Sequence, residues 1–450
     1  MQDIYNYIDE NWQEAIEDLE KFCAQPSISA QAAGIDETAT MAAELLKKYG
    51  VNSQVLSTSG NPVVYGELKG ESPYTLLFYN HYDVQPPEPL ELWTTPPFEP
   101  VIENDVLRAR GVSDDKGDIM ARLLAIKAFL ETKGKLPISI KFLIEGEEEV
   151  GSVSLPSFID EHKSLLDSDA CFWESGSVSW DDRPEIVLGL KGIVCVELEA
   201  RGAVRDIHSS RGTIVPNPAW RLVWALNSIK DENENILIEG FYDNVRPPTE
   251  QEIETIKNIP DQDKEWLGSL GINSFLKGLE GTDLQMYHIL QPACTINGLI
   301  SGYTGEGSKT VLPCQAKAKL DFRLVPNQTA DEIIPKLRTH LDKKGFSDVS
   351  VAIGEGENPA RTPLDSPFAR SVSEAAREAY GLEPIIKPTA TGSGPMFSFT
   401  DTLGLPVASA GVGNPDSRAH APDENIRLTD FVKGAKHVAA IMDKCVGILS

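Results

Sequence analysis

Apolar residues recur along this chain with two different periods, and their order predicts the fold. Residues 3–23 repeat apolar positions at helical spacing, whereas 138–144 is an almost continuous apolar run of the kind found in buried strands. Strands and helices alternate through the first 190 residues, which favours a largely parallel sheet covered on both faces. The helices predicted there are 3–23, 36–48, 117–131 and 155–166, and the strands are 53–57, 63–68, 74–80, 138–144 and 170–173.

The pattern changes after Leu190. Residues 193–199 alternate like a half-buried strand, and 230–267 is acidic, contains prolines and has no clean period. The other elements predicted after this point are helices 215–228, 329–342, 366–380 and 429–446, and strands 316–324, 349–353 and 407–411. Helices 366–380 and 429–446 and strand 407–411 return to the alternation of helices and strands that is predicted for the first 190 residues. The simplest topology therefore inserts a smaller α+β domain, 191–360, into a discontinuous α/β domain made of 1–190 and 361–450.

Length and composition are those of an ordinary globular chain. Of the 450 residues, 41% are hydrophobic, with no apolar run of about 18 residues that could span a membrane. The N-terminus lacks a basic region followed by an apolar one, so we expect no secretory signal. The six cysteines are dispersed without a CxxC pair, which is typical of reduced packing residues. We therefore expect a cytoplasmic protein without a membrane partner.

The net charge of −27 argues against a nucleic-acid partner, because neutralising phosphates needs clustered Lys and Arg. Solubility is the simpler explanation of the charge, with attraction of metal cations to a site as the alternative for part of it. The segment 302–310 superficially resembles a phosphate-binding loop. However, an extra serine separates Gly307 from Lys309, so nucleotide binding is not predicted.

Side chains that bind metals follow several of the predicted strands. His81 and Asp83 end the strand 74–80 and share one strand face, and three glutamates follow the strand 138–144. The remaining candidates of this kind are Asp114, Asp115, Glu174 and His420. Because active sites of open α/β sheets gather where strands end, we expect these groups to meet.

The residue types indicate a divalent metal centre. Two histidines with several carboxylates and no thiolate suit a metal ion that is borderline between hard and soft, and imidazole favours zinc over magnesium or calcium. With one bridging carboxylate, the set is large enough for two ions about 3.5–4 Å apart, which predicts hydrolysis of an amide. Each motif alone has a simpler explanation. An Asp-Asp pair before a helix is commonly a cap, and consecutive glutamates usually form a solvated face.

Four ordered motifs resemble those of the M20 metallopeptidase family. They are His81-x-Asp83, Gly111-Val-Ser-Asp-Asp-Lys-Gly117, Glu145-Gly-Glu-Glu-Glu-Val-Gly-Ser152 and Ala419-His-Ala-Pro-x-Glu424. The resemblance spans nearly the whole chain. It implies a zinc-peptidase-like α/β catalytic domain with a central, mostly parallel sheet, interrupted by a smaller α+β lid that also dimerises the protein.

The resemblance also implies a role for each motif residue. The implied metal ligands are His81, Asp114, Glu149, Glu174 and His420, with Asp114 bridging two divalent ions, Zn²⁺ first and Mn²⁺ or Co²⁺ as alternatives. Gly151 and Ser152 set the register of the three glutamates, which makes Glu148 the general base. Asp83 is expected to support His81 as an outer carboxylate. The peptide bond between Asp114 and Asp115 is expected to be cis.

Further positions resemble residues of the family that contact substrate. His208 resembles the histidine that reaches into the partner subunit's site and stabilises the oxyanion, with a surface-loop histidine as the alternative. Arg323 resembles the arginine that binds the substrate carboxylate, with a buried structural arginine as the alternative. Gly392 and Ser393 resemble the glycine-rich loop that holds the C-terminal end of the substrate, with a loop without a ligand as the alternative.

Together these implications predict hydrolysis of dipeptides or short peptides by a metal-bridged water and a Glu general base. The long lid, and the segment 307–313 followed by Arg323, resemble the carnosinase-like dipeptidase branch. An N-acyl-amino-acid amidohydrolase or a glutamate-type carboxypeptidase would keep every metal residue, so both stay open as alternatives. A metal-binding homologue without catalysis is a third hypothesis, against which the intact Glu148 and His208 argue.

Overall fold

The computed structural model describes residues 1–449, and the side chains of all of these except Glu355 and Leu449. The helices are α1 Gln2–Ala24, α2 Ile35–Lys48, α3 Gly117–Lys133, α4 Leu155–Glu161, α5 Lys163–Leu166, α6 Pro218–Ile229, α7 Glu250–Lys257, α8 Asp263–Leu270, α9 Gly281–Leu290, α10 Ala330–Lys343, α11 Pro367–Tyr380 and α12 Leu428–Cys445. The strands are β1 Asn52–Leu56, β2 Val63–Leu68, β3 Ser72–His81, β4 Val101–Glu103, β5 Val106–Arg108, β6 Ile138–Glu145, β7 Ala170–Trp173, β8 Glu185–Val187, β9 Gly189–Leu190, β10 Gly192–Arg201, β11 Ile207–His208, β12 Ala293–Ser301, β13 Val311–Leu312, β14 Gln315–Leu324, β15 Ser350–Glu357, β16 Ala360–Arg361, β17 Ile385–Lys387, β18 Val407–Ser409 and β19 Asn425–Arg427.

A large sheet with the strand order β1-β2-β6-β3-β7-β18-β8-β17 forms the centre of the molecule. Its middle strands β6, β3, β7 and β18 are parallel, and antiparallel pairs join β1, β2 and β8 to them. Side chains of β3 alternate between two apolar layers. Leu76 and Phe78 pack with the helices α1, α3 and α12, whereas Leu77 and Tyr79 face α4 and the segment 396–405. The predicted α/β fold with a mostly parallel central sheet is confirmed.

A second, antiparallel sheet has the order β12-β14-β10-β15 and its own apolar core with α6 and α10. Typical members of this core are Val194, Leu198, Leu222, Leu320 and Leu337. The division into 1–190 with 361–450 and 191–360 stays a prediction, with which the two separate cores agree. In the β10–β14 ladder Arg323 is opposite Ile193, close to the point where the chain leaves the large sheet.

Some elements differ from the prediction. The predicted helix 155–166 is two helices, α4 and α5, separated at His162, whose backbone (φ −117°, ψ 22°) leaves the helical region. β12 was not predicted, because a bulge between Ile296 and Gly298 interrupts its alternation and much of its apolar surface is exposed. The aperiodic stretch 230–267 contains α7 and the start of α8. Along the described chain, no helix is both long and apolar enough to cross a bilayer.

Candidate metal centre and active site

Parallel strand ends bring the predicted ligands to one edge of the large sheet. In the ladder between β3 and β6, His81 is opposite Glu145, so the glutamates after β6 begin beside this histidine. β7 is the other neighbour of β3, and Glu174 directly follows its last residue. The carboxyl ends of neighbouring parallel strands meet at one edge, which explains why residues far apart in sequence share a site.

Asp114 lies between two histidines. His81 Nε2 is 3.0 Å from Asp114 Oδ1, and His420 Nε2 is 3.0 Å from Asp114 Oδ2. His420 Nε2 is also 3.1 Å from Glu149 Oε2. One carboxylate therefore presents its two oxygens to two separate nitrogen donors, the arrangement expected of a bridging ligand. The peptide bond between Asp114 and Asp115 is cis, as expected.

The potential ligand atoms form two groups, each within 4.8 Å: Asp114 with Glu149 and His420, and His81 with Asp115 and Glu174. Glu174 is buried, and its Oε2 has no hydrogen-bond partner among the described residues. Asp115 differs, because its carboxylate already accepts hydrogen bonds from Asn80 Nδ2 and from the backbone N–H of His81. An unsatisfied buried oxygen beside imidazole and carboxylate donors fits a divalent cation.

The pKa values of the two histidines also indicate a site that favours positive charge. Burial alone would lower the pKa of His81, but hydrogen bonds to Asp114 and Asp83 raise this pKa well above its usual value. Hydrogen bonds to Asp114 and Glu149 raise the pKa of His420 to about 10. Both shifts have the same cause, carboxylates that favour positive charge at this position. Because a metal ligand must be deprotonated, binding of a cation here would release protons.

Glu148 is half-buried, and burial raises the pKa of its carboxyl to about 8, while the charges of Asp114 and Glu149 act in the same direction. A Cβ atom added to Gly394 would lie 3.7 Å from Glu148 Oε1, so this carboxyl group faces the glycine-rich loop. A carboxyl group whose pKa is close to neutral is suited to take up and release a proton.

Hydrogen bonds distinguish the other two glutamates of the run. Glu147 accepts from the backbone N–H groups of Asn61 and Ser154, both at 2.9 Å, and so anchors two loops. Glu149 accepts from Gln85 Nε2 at 2.8 Å on the side that faces His420. The predicted register, with Glu148 as base and Glu149 as ligand, stays a prediction that these contacts support.

Asp83 fixes the positions of the residues on either side of it. Its carboxylate accepts hydrogen bonds from the backbone N–H groups of Glu148 at 3.2 Å and Glu149 at 3.1 Å. Its main-chain carbonyl lies 3.0 Å from His81 Nδ1. With Nδ1 bonded in this way, Nε2 of His81 is directed towards Asp114. The Asp83 carboxylate thus positions the glutamate backbone, and its expected role as an outer carboxylate for His81 stays a prediction.

Glu424 is a residue whose part in the site the sequence reasoning missed. Its buried carboxylate pairs with Arg110 Nη1 at 2.7 Å and accepts from the backbone N–H groups of Ser113 at 2.9 Å and Asp114 at 3.0 Å. This carboxylate therefore sets the path of the loop that carries Asp114. The available signal was its place in the His420 motif, four positions after the histidine.

Lys116 connects this loop to the N-terminal helix. Its ammonium group is buried and donates hydrogen bonds to the carbonyl oxygens of Phe22 and Gln25, both at 2.9 Å. These carbonyls end α1, where a cation is favourable because carbonyl groups there lack helical partners. The position of the Asp114–Asp115 segment thus depends on α1.

A cavity of about 550 Å³ adjoins the metal-ligand residues and includes Asp114, Glu174, Gly392 and Ser393 in its lining. Arg323 Nη1 donates a 2.7 Å hydrogen bond to Ser393 Oγ, which joins β14 of the small unit to the glycine-rich loop. The structure therefore brings the three predicted substrate residues together.

The structure does not bring His208 to this cavity within one chain. The side chain is exposed, and its Nδ1 accepts a 3.1 Å hydrogen bond from the backbone N–H of Ser210.

A sheet of this topology, with histidines and carboxylates at its carboxyl edge and an adjoining cavity, defines a metal-dependent hydrolase of the α/β class. The family model described as Peptidase family M20/M25/M40 matches residues 77–444, and the chain belongs to this family.

Similar proteins cover most of the chain. The Beta-Ala-His dipeptidase of Homo sapiens is 28% identical over 466 residues, which cover 98% of this chain and 92% of that protein. A Cys-Gly metallodipeptidase of Saccharomyces cerevisiae is 28% identical over 395 residues, 85% of this chain and 81% of that protein. The crystal structure of an M20 family metallo-carboxypeptidase from Sulfolobus solfataricus has a TM-score of 0.93 and 41% identity, and the match covers 96% of this chain and 99% of that one.

Proposed function

We propose that this protein hydrolyses the peptide bond of dipeptides and requires two divalent metal ions, with Zn²⁺ as the first candidate. The observation that carries the proposal is the position of Asp114 between His81 and His420, with Glu148 close by. The dipeptidase relatives support the substrate class. The carboxypeptidase relative agrees with it, because the single peptide bond of a dipeptide is also the bond next to its terminal carboxylate.

Each ion would have its own set of ligands. His81 and Glu174 would hold one ion, Glu149 and His420 the other, and Asp114 would lie between them. Bound divalent ions supply Lewis-acid chemistry, since they lower the pKa of water and polarise a carbonyl.

Glu148 moves the proton in the proposed reaction. Its carboxylate takes a proton from the attacking water and later gives this proton to the leaving amine. The hydrogen bond from its backbone N–H to Asp83 keeps the residue in place during both steps. The pKa of about 8 suits this carboxyl group to hold the proton until the amine leaves.

Arg323 and Ser393 are proposed to bind the terminal carboxylate of the substrate. A guanidinium group is a planar donor that matches a carboxylate with two parallel hydrogen bonds. Arg323 keeps about a third of its side chain exposed, and its ion pair with Asp321 is long at 3.6 Å, so its donors remain accessible. A Cβ atom added at Gly392 would meet nothing within 4 Å, which leaves room above the loop for the ligand.

We also propose a homodimer formed through the lid. Trp220 and Trp224 on α6 are 59% and 55% exposed, and Leu299 and Ile300 on the edge strand β12 are 57% and 60% exposed. Apolar surface of this kind, together with a strand edge, is typical of an association site. Such a dimer would allow His208 to reach the cavity of the partner subunit. A cytoplasmic location stays a prediction that rests on the dispersed cysteines.

The experiment that tests the proposal measures metal content and dipeptide turnover on one purified sample. We expect about two metal ions per chain, loss of Ala-Ala and Leu-Gly hydrolysis after chelation, and recovery when Zn²⁺ is added back. Full turnover by the metal-free protein would contradict the proposal. Turnover of N-acetylated amino acids instead of dipeptides would move the assignment to the amidohydrolases.

A further inference from the structure

The helices α7 to α9 of the lid form one wall of the substrate cavity. This cavity also contains Asp114 and Glu174, so the wall faces the space next to the metal-ligand residues. The residues that the wall contributes are Ile259, Gln262, Trp266, Gln285, His288 and Ile289. The first three belong to the stretch 230–267, whose sequence shows no clean period, and the other three lie on α9.

A buried lysine fastens this wall to the substrate loop. Lys191 is 4% exposed, and its Nζ donates hydrogen bonds to the carbonyl oxygens of His288 at 2.7 Å and Gln291 at 2.6 Å, at the end of α9. The backbone N–H of Lys191 donates to the carbonyl oxygen of Gly392 at 3.0 Å. One residue therefore holds α9 against the loop that carries Ser393.

A buried ion pair fastens the other end of the wall. Arg361 Nη1 on β16 is 2.6 Å from Glu252 Oε1 on α7, and the Glu252 side chain is 6% exposed. Glu252 also accepts from Arg246 and from the backbone N–H of Thr249, which completes a capping box at the start of α7. Because both ends are anchored, the wall is a fixed part of the cavity.

The surface that this wall presents is mainly apolar and aromatic. The Trp266 ring packs edge-on to His288, with ring centroids 5.6 Å apart, and Ile259 and Ile289 line the same side of the cavity. Cations in the cavity lining have partners, since Lys387 pairs with Glu185 at 2.6 Å and Arg418 pairs with Asp416 at 3.1 Å. The charge of Lys191 is likewise directed to carbonyl groups, so the wall offers contact area more than charge.

We propose that Trp266, with Ile259 and Ile289, forms the subsite for the side chain of the substrate's C-terminal residue and selects apolar or aromatic side chains there. The inference rests on the proposed function, because Arg323 and Ser393 hold the C-terminal carboxylate at the loop to which the wall is fastened. The side chain next to that carboxylate then meets the indole ring. An aromatic side chain buries apolar area against such a surface and glycine does not, so a substrate with an aromatic C-terminal residue is favoured over one that ends in glycine.

The test compares kcat/KM for Ala-Phe, Ala-Leu and Ala-Gly in the metal-loaded wild-type protein and in Trp266→Ala. We expect the wild type to prefer Ala-Phe over Ala-Gly by about 10- to 100-fold, and the variant to lose about tenfold of this preference while Ala-Gly changes little. Leu270→Ala is the matched control, because Leu270 lies on the same helix, is 63% exposed and does not line the cavity. Trp266→Phe should keep most of the preference, and serves as the second variant if Trp266→Ala does not fold.

The inference alone would be overturned by an equal loss of turnover for all three substrates, or by a change that follows the N-terminal residue in Phe-Ala against Gly-Ala. A wild-type protein that cleaves dipeptides without any preference at the C-terminal residue would also overturn it. Absence of dipeptide turnover in the metal-loaded wild type would instead refute the proposed function, and this inference with it.

Discussion

Arg323 and Ser393 lie 70 positions apart in the chain, and a 2.7 Å hydrogen bond from Arg323 Nη1 to Ser393 Oγ joins their side chains. One residue belongs to β14 of the small antiparallel sheet and the other to the loop beside Glu148. The contact uses one of the five N–H donors of the guanidinium group, so the others can bind a carboxylate. The relative position of the two sheets therefore determines the geometry of this proposed carboxylate site.

Replacing Arg323 with lysine should weaken substrate binding more than it slows chemistry. Lysine keeps the charge but loses the planar pair of donors, so KM for dipeptides should rise by about 10- to 100-fold with a smaller change in kcat. Steady-state kinetics measure both. Arg201→Lys, at a side chain that is 74% exposed, is the control. An unchanged KM with a lowered Tm would favour the structural alternative for Arg323.

Replacing Glu148 with glutamine should abolish turnover and leave metal binding intact. An amide cannot accept the proton, so kcat should fall by about 10²- to 10⁴-fold. Glu147→Gln is the matched control on the neighbouring residue, because Glu147 anchors Asn61 and Ser154 and does not face the glycine-rich loop. Metal analysis of both variants separates a catalytic loss from a binding loss. Substantial turnover by Glu148→Gln would exclude the proposed proton transfer.

His208 can be assigned to one subunit or the other by complementation. Glu148→Gln and His208→Ala should each be inactive as homodimers. If His208 acts in the partner's cavity, co-expressed chains should recover about one quarter of the wild-type activity, because half of the dimers are mixed and each mixed dimer has one intact site. No recovery in isolated mixed dimers would mean that His208 acts within its own chain, whereas an active His208→Ala homodimer would mean that His208 does not act at all.

Stability should decrease in weak acid because of His437. This histidine is buried between α11 and α12, its Nε2 lies 3.0 Å from the carbonyl oxygen of Val372, and burial lowers its pKa to about 4. In the unfolded chain a histidine has a pKa of about 6.5, so between these values the unfolded state binds more protons and the free energy of unfolding falls as pH falls.

The corresponding measurement is urea unfolding of the wild type and of His437→Gln at about pH 7.5 and about pH 5. The glutamine amide can still donate to Val372 but does not titrate. On moving to pH 5, the wild type should lose about 2 kcal/mol more than the variant. Equal losses in the two proteins would mean that His437 does not contribute to the acid sensitivity.

Much of the candidate site could be predicted from the sequence, because the ligands directly follow the apolar runs. His81 ends the run 74–80 and Glu174 follows 170–173, so locating the strands also located these side chains. Neighbouring parallel strands then place the groups together. The assignment of Glu148 and Glu149 needed the family resemblance, because the run of three glutamates has no internal register.

The wall of the cavity could not be predicted in this way. α7 and α8 are eight residues each, too short for a clear helical period, and Trp266 faces a cavity instead of a packed core. The ion pair between Arg361 and Glu252 joins residues 109 positions apart. Lys191 appears as an ordinary lysine in the sequence, and only the carbonyl groups around it explain its burial.

The contact of Lys116 with the end of α1 has a consequence for any shortened form of the chain. The first 25 residues contain none of the proposed ligands, and a sequence comparison that begins at residue 77 would treat them as dispensable. Removing them would leave a buried ammonium group two positions from Asp114 without its two carbonyl partners. The N-terminal helix thus belongs both to the main apolar core and to the support of the loop that carries Asp114.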